Sequence, residues 1–537
     1  MISKRDLLLL SSATATWTIA SGAGKAQQTD VNPAGGAGEP LYFERYRPQY
    51  HFSPPLNFMN DPNGLVYYQG VYHLFYQYNP FGLRAGNQSW GHAVSDDLVY
   101  WENLPIAISV TAAGFIFSGS AVVDASNTSG FFTSAGEGGL VAIYTLAVYA
   151  GGRGVSQTQN IAYSRDGGLT FTDYPSNPVI DRGEAQFRDP QVFWHAPTDR
   201  WIMAVAESRE WKVLFYASSD LKSWVQVGSF GPAGFLGYQY EVPNLMPVSV
   251  EGTDQHKWVL LISINPGAPQ GGSATQYFVG EFDGSTFVPD DGGTRFMEFA
   301  KDAYAMQTYN NLPTDDVVGI TWLSNWQYTN VVPTFPWRGQ MTTPRVLTLR
   351  TTTTDSGYVL AQNPVPALEK LRDQVLHSGP VMLEEATPFI LSLDGHQSFE
   401  VEVTAASSGT GMAMISLVND AETLVVAYDW SGKMVYVDRG GTQGFSNPYF
   451  TDTFASNYVT VDNTVKLRIL IDVSTLELFV DDGSRVATSL FFFKNLPDSL
   501  VFSSQGRGIQ LTNLQVYSYR SIWEPRTDRA AGVGTPK

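Results

Sequence analysis

Along most of the chain, apolar and polar residues alternate with a period near two, in short runs that end at Gly, Asn, Asp or Pro. "GLVYYQG" (64–70), "VYHLFYQYNP" (71–80), "WIMAVAES" (201–208) and "KWVLLISINP" (257–266) are typical. Alternation turns one side of a strand toward a core, and the punctuating residues suit tight turns. Between Tyr46 and about Arg350 no stretch holds a helical period, so the pattern predicts many short strands arranged as a sandwich, barrel or propeller. "MNDPNG" (59–64) reads as a tight turn, because Pro62 presets φ and Asn63-Gly64 favours a hairpin.

A faint repeat favours the propeller. "SDDLVYW" begins at Ser95, "SSDLKSW" at Ser218 and a longer relative, "SRDGGLTF", at Ser164. These intervals are blade-sized. An Asp-anchored hairpin whose aromatic packs between neighbouring sheets fits radial repetition, which leaves only short, protected strand edges. The texture then changes. "NPVPALEKLRDQVL" (363–376) puts Val365, Leu368, Leu371 and Val375 on one face of a short amphipathic helix. Beyond it clean strands return, such as "SFEVEVTAA" (398–406) and "VKLRILIDVSTLELFVDDG" (465–483). Leu467, Ile469 and Ile471 on one face predict an antiparallel β-sandwich with one wet side. The expected organisation is all-β: a propeller over 46–360, a linker with a short helix over 361–384, a sandwich over 385–525 and a disordered tail over 526–537.

The first residues differ again. Lys4 and Arg5 precede Leu7 to Leu10, and small residues follow up to Ala26. Residues 1–26 are read as an export signal and 27–45 as a flexible lead-in, which makes the protein secreted; periplasmic and intracellular locations are the alternatives. Nothing later approaches the ~18 apolar residues of a membrane span.

Composition narrows the chemistry. The 537 residues exceed what one core usually serves, so two domains are the default. A net charge of -18 repels phosphate backbones and anionic lipid, which argues against nucleic-acid and membrane partners and leaves a neutral sugar indifferent. There are no cysteines, the histidines are scattered, and phosphate-loop, dinucleotide and serine-elbow motifs are missing. Carboxylates remain as the obvious chemistry.

Three acids stand within two residues of a proline: Asp61 in "MNDPNG", Asp189 in "FRDPQV" and Glu241 in "YEVPNL". On the innermost strands of a propeller they would converge on one cavity. Glycosidic cleavage with retention needs a carboxylate nucleophile and a carboxylic acid roughly 5–5.5 Å apart. A third negative charge nearby helps the acid keep its proton. Each acid also has a plain structural reading: a turn cap for Asp61, a partner of Arg188 for Asp189, a strand-end surface acid for Glu241. Tyr67, Tyr72, Phe75, Tyr76, Trp90, Phe117 and Trp326 could hold sugar faces, although such rings more often fill cores.

"FMNDPNG", "FSGSAVVD" (117–124), "FRDP", "EVPNL" and "NWQY" (325–328), in this order, resemble glycoside hydrolase family 32, the invertases, inulinases and fructosyltransferases, closest to the fungal-type branch. The resemblance covers about residues 46 to 520. It implies a five-bladed β-propeller followed by a β-sandwich, and a retaining double displacement at C2 of a β-linked fructosyl unit. By motif, Asp61 matches the nucleophile, Glu241 the general acid/base, and Asp189 the transition-state stabiliser acting with Arg188. Asn60, Gln77, Phe117, Ser118 and Trp326 match positions lining the fructose pocket. No metal or cofactor is implied, and the partners are sucrose and fructans; a homodimer is left open.

Three positions depart from the family pattern. Phe58 and Ala85 stand where tryptophan is usual, and Val242 where cysteine is usual. They are read in one of two ways: as a remodelled acceptor side that shifts the balance from hydrolysis toward transfer, or as silent drift compensated by neighbouring residues. The readings carried forward are a β-fructofuranosidase with transfer activity, a dedicated fructosyltransferase or exo-inulinase, and a glycan-binding protein without catalysis.

Overall fold

The computed structural model describes residues 41–133, 138–352, 357–385 and 387–524. The expected export signal, most of the lead-in and the expected disordered tail lie outside the described residues.

Five antiparallel sheets form the propeller. Their innermost strands are Asn57–Tyr68, Phe115–Asp124, Phe187–His195, Tyr240–Ser249 and Tyr304–Thr308, in blades I to V. Each blade continues outward strand by strand, and blade I is extended by Trp337–Arg338, which pairs parallel to Asn57–Tyr68. Side chains lock the inner strands into a ring. Ser120 Oγ donates to Pro190 O (3.0 Å), Gln191 Nε2 to Leu245 O (3.3 Å), and Thr308 Oγ1 to Asn244 Oδ1 (2.8 Å). Asn310 closes the circle: its backbone N–H donates to Leu65 O, and its amide donates across the axis to Ala121 O and Val192 O. Separate apolar clusters fill the wedges between blades, for example Val66, Phe75 and Trp90 against Ile116 and Leu140.

The repeat has a concrete role. Asp97, Asp166 and Asp220 each accept backbone N–H groups just past the third strand of blades I, II and III. Trp101, Phe171 and Trp224 then turn back onto apolar clusters. Asp283 does the same in blade IV, accepting from Ser285 and Thr286. The shorter "FDGSTF" hides that fourth copy from the pattern.

The sandwich has a seven-stranded and a six-stranded sheet. Leu467, Ile469 and Ile471 face the core between them. The wet side expected for that sheet is instead dry along one stretch. Leu470, Phe479 and Val486 project from the other face onto Leu65, Leu74 and Ile320 of the propeller. The expected helix is also corrected. Pro366–Leu371 is a 3-10 helix, and Arg372–Ser378 already belongs to the sandwich sheet. Val365, Leu368 and Leu371 recur every third residue, which matches a three-residue turn, and all are buried in the interdomain cluster. Val375 falls on an edge strand and is 61% exposed.

Nor is "MNDPNG" a turn. It runs inside the strand Asn57–Tyr68. Register slips between Met59 and Pro62 and between Asn63 and Val66. Asn63 is buried and accepts from Gly119 N (3.3 Å), while Gly64 takes φ +53°. A Cβ there would meet Phe75 at 2.8 Å and Trp90 at 2.9 Å, so the Asn-Gly pair bends and packs the strand rather than reversing it.

Candidate active site

All five inner strands carry the same irregularity near their N-terminal ends. Facing the second strand of its blade, each spends three residue steps where the partner spends two: Met59 to Pro62, Ile116 to Gly119, Arg188 to Gln191, Glu241 to Asn244 and Tyr304 to Gln307. A bulge breaks strict alternation and lets consecutive side chains aim at the axis. In two of the five a proline lies inside the bulge, Pro190 and Pro243, where its missing N–H costs no ladder bond, and Pro62 closes a third. Asp189, Val242 and Ala305 take φ of 65°, 45° and 59°, a strained region for residues with a Cβ.

The bulges bring together Asn60, Asp61, Phe117, Ser118, Arg188, Asp189, Glu241 and a residue that the sequence pattern did not single out, Tyr304. Asp61 is buried and accepts hydrogen bonds from Asn60 Nδ2 (3.1 Å) and Ser118 Oγ (2.9 Å). Asp189, also buried, accepts from the backbone N–H of Val242 (3.0 Å), the residue after Glu241. Its own N–H donates to Thr145 Oγ1 (3.0 Å). Arg188 spans the pair: Nε and Nη2 donate to Glu241 Oε1 at 3.3 and 3.2 Å, and Nε lies 3.9 Å from Asp189 Oδ2. Gln157 and Gln186 accept from the other side of the guanidinium (3.1 and 2.8 Å) and fix its plane. Tyr304 O–H donates to Glu241 Oε2 at 2.5 Å.

The acids feel one another. Burial, then the charge of Glu241, pushes Asp61 up to about 7, against the donors Asn60 and Ser118. Asp189 also rises to about 7: burial leads, Arg188 opposes, and Glu241 and Asp61 add to the rise. Burial and neighbouring charge therefore make Asp61 and Asp189 hold their protons more tightly than free carboxylates do. Among the described residues no cluster of His, Asp and Glu is placed to hold a metal ion.

Gln77 lies on the second strand of blade I, opposite the bulge at Asn60-Asp61, and its amide donates to Ile116 O (3.0 Å). Trp326 is partly buried, packed on Trp322 (4.8 Å) and Phe58 (6.3 Å). Of the other rings, Phe75, Tyr76 and Trp90 are core, and Tyr67 and Tyr72 pack against each other in a tilted pair (4.7 Å) at the far end of blade I. Tyr304 escaped the sequence reading because its bulge, "YAMQ" (304–307), carries neither a proline nor a charge.

A sequence profile described as "Glycosyl hydrolases family 32 N-terminal domain" matches residues 51–364, and one described as "Glycosyl hydrolases family 32 C terminal" matches 367–518. The chain belongs to glycosyl hydrolase family 32. Relatives in the family include an invertase of Schizosaccharomyces pombe, 41% identical over 89% of this chain and 86% of that one. An extracellular exo-inulinase of Aspergillus awamori is 38% identical over 90% of this chain and 96% of the relative. Among solved structures, a β-fructofuranosidase from Schwanniomyces occidentalis complexed with fructosyl-erythritol superposes with a TM-score of 0.82. It shares 38% identity and covers 89% of this chain and 98% of its own. Against the family pattern, the three departures sit together. Phe58 and Val242 are buried in one apolar cluster with Tyr304, Ala305 and Trp322, and Ala85 and Trp326 pack on its outer side. The cluster backs Glu241 through Val242 and Tyr304, its neighbours in sequence and by hydrogen bond.

Proposed function

We propose that this family 32 chain is a retaining β-fructofuranosidase acting on sucrose and short fructans. Asp61 attacks the anomeric carbon of the terminal β-fructosyl unit while Glu241 gives its proton to the leaving oxygen. The bond to that oxygen breaks and a fructosyl ester forms on Asp61. Glu241, now ionised, takes a proton from water, whose oxygen displaces Asp61 and releases fructose with its configuration kept. Asp189 accepts from the fructose hydroxyls, and its charge opposes the positive charge developing on the ring. Arg188 orients Glu241 and Asp189; Asn60, Gln77, Phe117, Ser118 and Trp326 line the fructose pocket, and Tyr304 positions Glu241. In the productive state Asp61 is ionised as the nucleophile and Glu241 carries the proton that it gives to the leaving oxygen.

The observation that carries the reading is the convergence of Asp61, Asp189 and Glu241 from three inner strands on one site at the axis, with Arg188 spanning Glu241 and Asp189 and the N–H of Val242 on Asp189. Nuclear magnetic resonance of the first fructose released from sucrose tests it. β-Fructofuranose must appear before its mutarotation products, and α-fructofuranose first would exclude the double displacement. A Glu241→Ala variant that still turned over sucrose at the parent rate would refute the acid assignment.

A second activity, transfer of the fructosyl unit to a sugar instead of water, is favoured by Ala85 on the outer side of the cluster behind Glu241. Concentrated sucrose then yields trisaccharide. Equal release of glucose and fructose with no trisaccharide rules transfer out. Export is supported by the basic-then-apolar start of the chain and by a relative named extracellular. N-terminal sequencing of protein recovered from culture medium tests it, with a start just past Ala26 as the expected result.

A further inference from the structure

The stretch leading into Glu241, "GPAGFLGYQY" (231–240), carries exposed rings yet is held firmly. Tyr238 N donates to Pro266 O (2.8 Å). A Cβ on Gly237 would meet Pro266 O at 2.7 Å, and one on Gly267 would meet Gly237 Cα at 2.7 Å, so the two loops touch backbone to backbone. The buried Gln276 clamps Phe235 at both its N–H and its carbonyl (2.9 and 2.8 Å). Despite this, Tyr238 is 55% and Phe235 44% exposed. A flexible loop can leave a ring in water by accident of motion; a loop pinned this way holds it there.

The Tyr238 ring has a specific backing. The guanidinium of Arg209 lies 3.3 Å from its centroid. Arg209 Nε is buried without a hydrogen-bond partner, and among the described residues no carboxylate pairs with this arginine. The contact of the guanidinium with the ring fixes the ring's orientation. With one face backed, the exposure of Tyr238 belongs to the other face and the hydroxyl. The pair stands beside the catalytic strands. Ser208, next to Arg209, donates its N–H to Gln186 O (2.9 Å) and accepts from Tyr240 N (3.0 Å). Tyr238 itself is three residues before Glu241, about 10 Å along an extended chain.

We propose that Tyr238, held by Arg209, is a stacking platform for the sugar units on the leaving side of the scissile bond. Three residues of chain keep it within about 10 Å of the group that protonates the leaving oxygen, and it offers a flat apolar face that matches the C–H face of a pyranose or furanose. A platform there binds the departing sugar in hydrolysis and the accepting sugar in transfer. Tyr238 is thus a specificity-determining residue and Arg209 a positioning residue. The inference rests on the β-fructofuranosidase reading.

The test is the ratio of kcat/KM for 1-kestose, which has two leaving-side sugars, to that for methyl β-D-fructofuranoside, which has none. Tyr238→Ala lowers the ratio about tenfold, mainly through the KM of the trisaccharide, and Tyr238→Phe keeps it within about twofold. Arg209→Gln, which leaves the ring but removes its backing, lowers it by about threefold. An unchanged ratio in Tyr238→Ala, or a loss in Tyr238→Phe as large as in Tyr238→Ala, overturns the platform. If the parent protein cleaved neither compound, the β-fructofuranosidase reading would fail instead, so the two failures are distinguishable.

Discussion

At the scale of single residues, the site sets stability against chemistry. Asp61 is raised from 3.8 to about 7 chiefly by burial, then by Glu241. The folded state therefore holds this proton more tightly than the unfolded state does. Stability falls as pH climbs from about 3.8 to about 7, and the loss is complete above that window. Asp61→Asn should remove the cost: at about pH 8 its Tm exceeds that of the parent, by at least about 1 kcal/mol in unfolding free energy, while near pH 4 the two converge. The same variant should lose at least about four decades of kcat on sucrose. Equal Tm at both pH values would mean that Asp61 is not held as an uncomfortable buried charge. Tyr304→Phe removes the hydroxyl that donates to Glu241 Oε2 and should lower kcat roughly tenfold with KM little changed, read from steady-state kinetics. The acids were legible in sequence because each lies within two residues of a proline at a bulge. Tyr304 and Thr145 have no such flag; only folding puts their hydroxyls beside Glu241 and Asp189.

At the scale of elements, the five bulges are what convert strands into a site. The period-two pattern shows the strands, but one extra residue per strand is invisible to it, and so the Asn-Gly of blade I reads as a reversal when it is a bend. Gly64 carries that bend. Gly64→Ala should cost roughly 2 kcal/mol of stability and reduce activity together, because a Cβ at φ +53° drives into Phe75 and Trp90. The interdomain segment gives a second contrast. Spacing alone cannot separate a 3-10 turn from an α-helix over so few residues, and Val375 looked like a fourth member of the face. Leu371→Ala should cost about 2–5 kcal/mol and Val375→Ser less than about 0.5 kcal/mol, measured by chemical denaturation. Comparable losses at the two positions would restore the helix.

Across the whole molecule, propeller and sandwich are joined by buried charge as well as by apolar surface. His51, entering blade I, lies between Asp472 (2.9 Å) and Glu477 (2.8 Å) of the sandwich, and Glu477 also holds Arg345 of blade V (2.8 Å). Burial opposes the imidazolium, but the two carboxylates outweigh it and lift His51 from 6.5 to about 9. Asp302, at the entry to blade V, pairs with Arg439 of the sandwich at 2.5 Å. "LRILIDVSTLELFVDDG" shows its strands in sequence, but nothing in it reveals that Asp472 and Glu477 face another domain. The His51 contribution is fully present below pH 6.5 and is lost as pH rises through about 9. Calorimetry should show His51→Gln roughly 3 kcal/mol less stable than the parent at about pH 6, with a flatter decline toward alkaline pH. Parallel profiles would contradict a charged clasp. Two buried clasps thus tie the sandwich to the propeller, whose axis carries the proposed chemistry. That chemistry is tested most directly by trapping. Glu241→Gln, given a fructosyl substrate with an activated leaving group, should accumulate protein heavier by one fructosyl unit, and peptide mass spectrometry should place the adduct on Asp61. An adduct on any other residue, or steady turnover with no covalent species, would contradict the account.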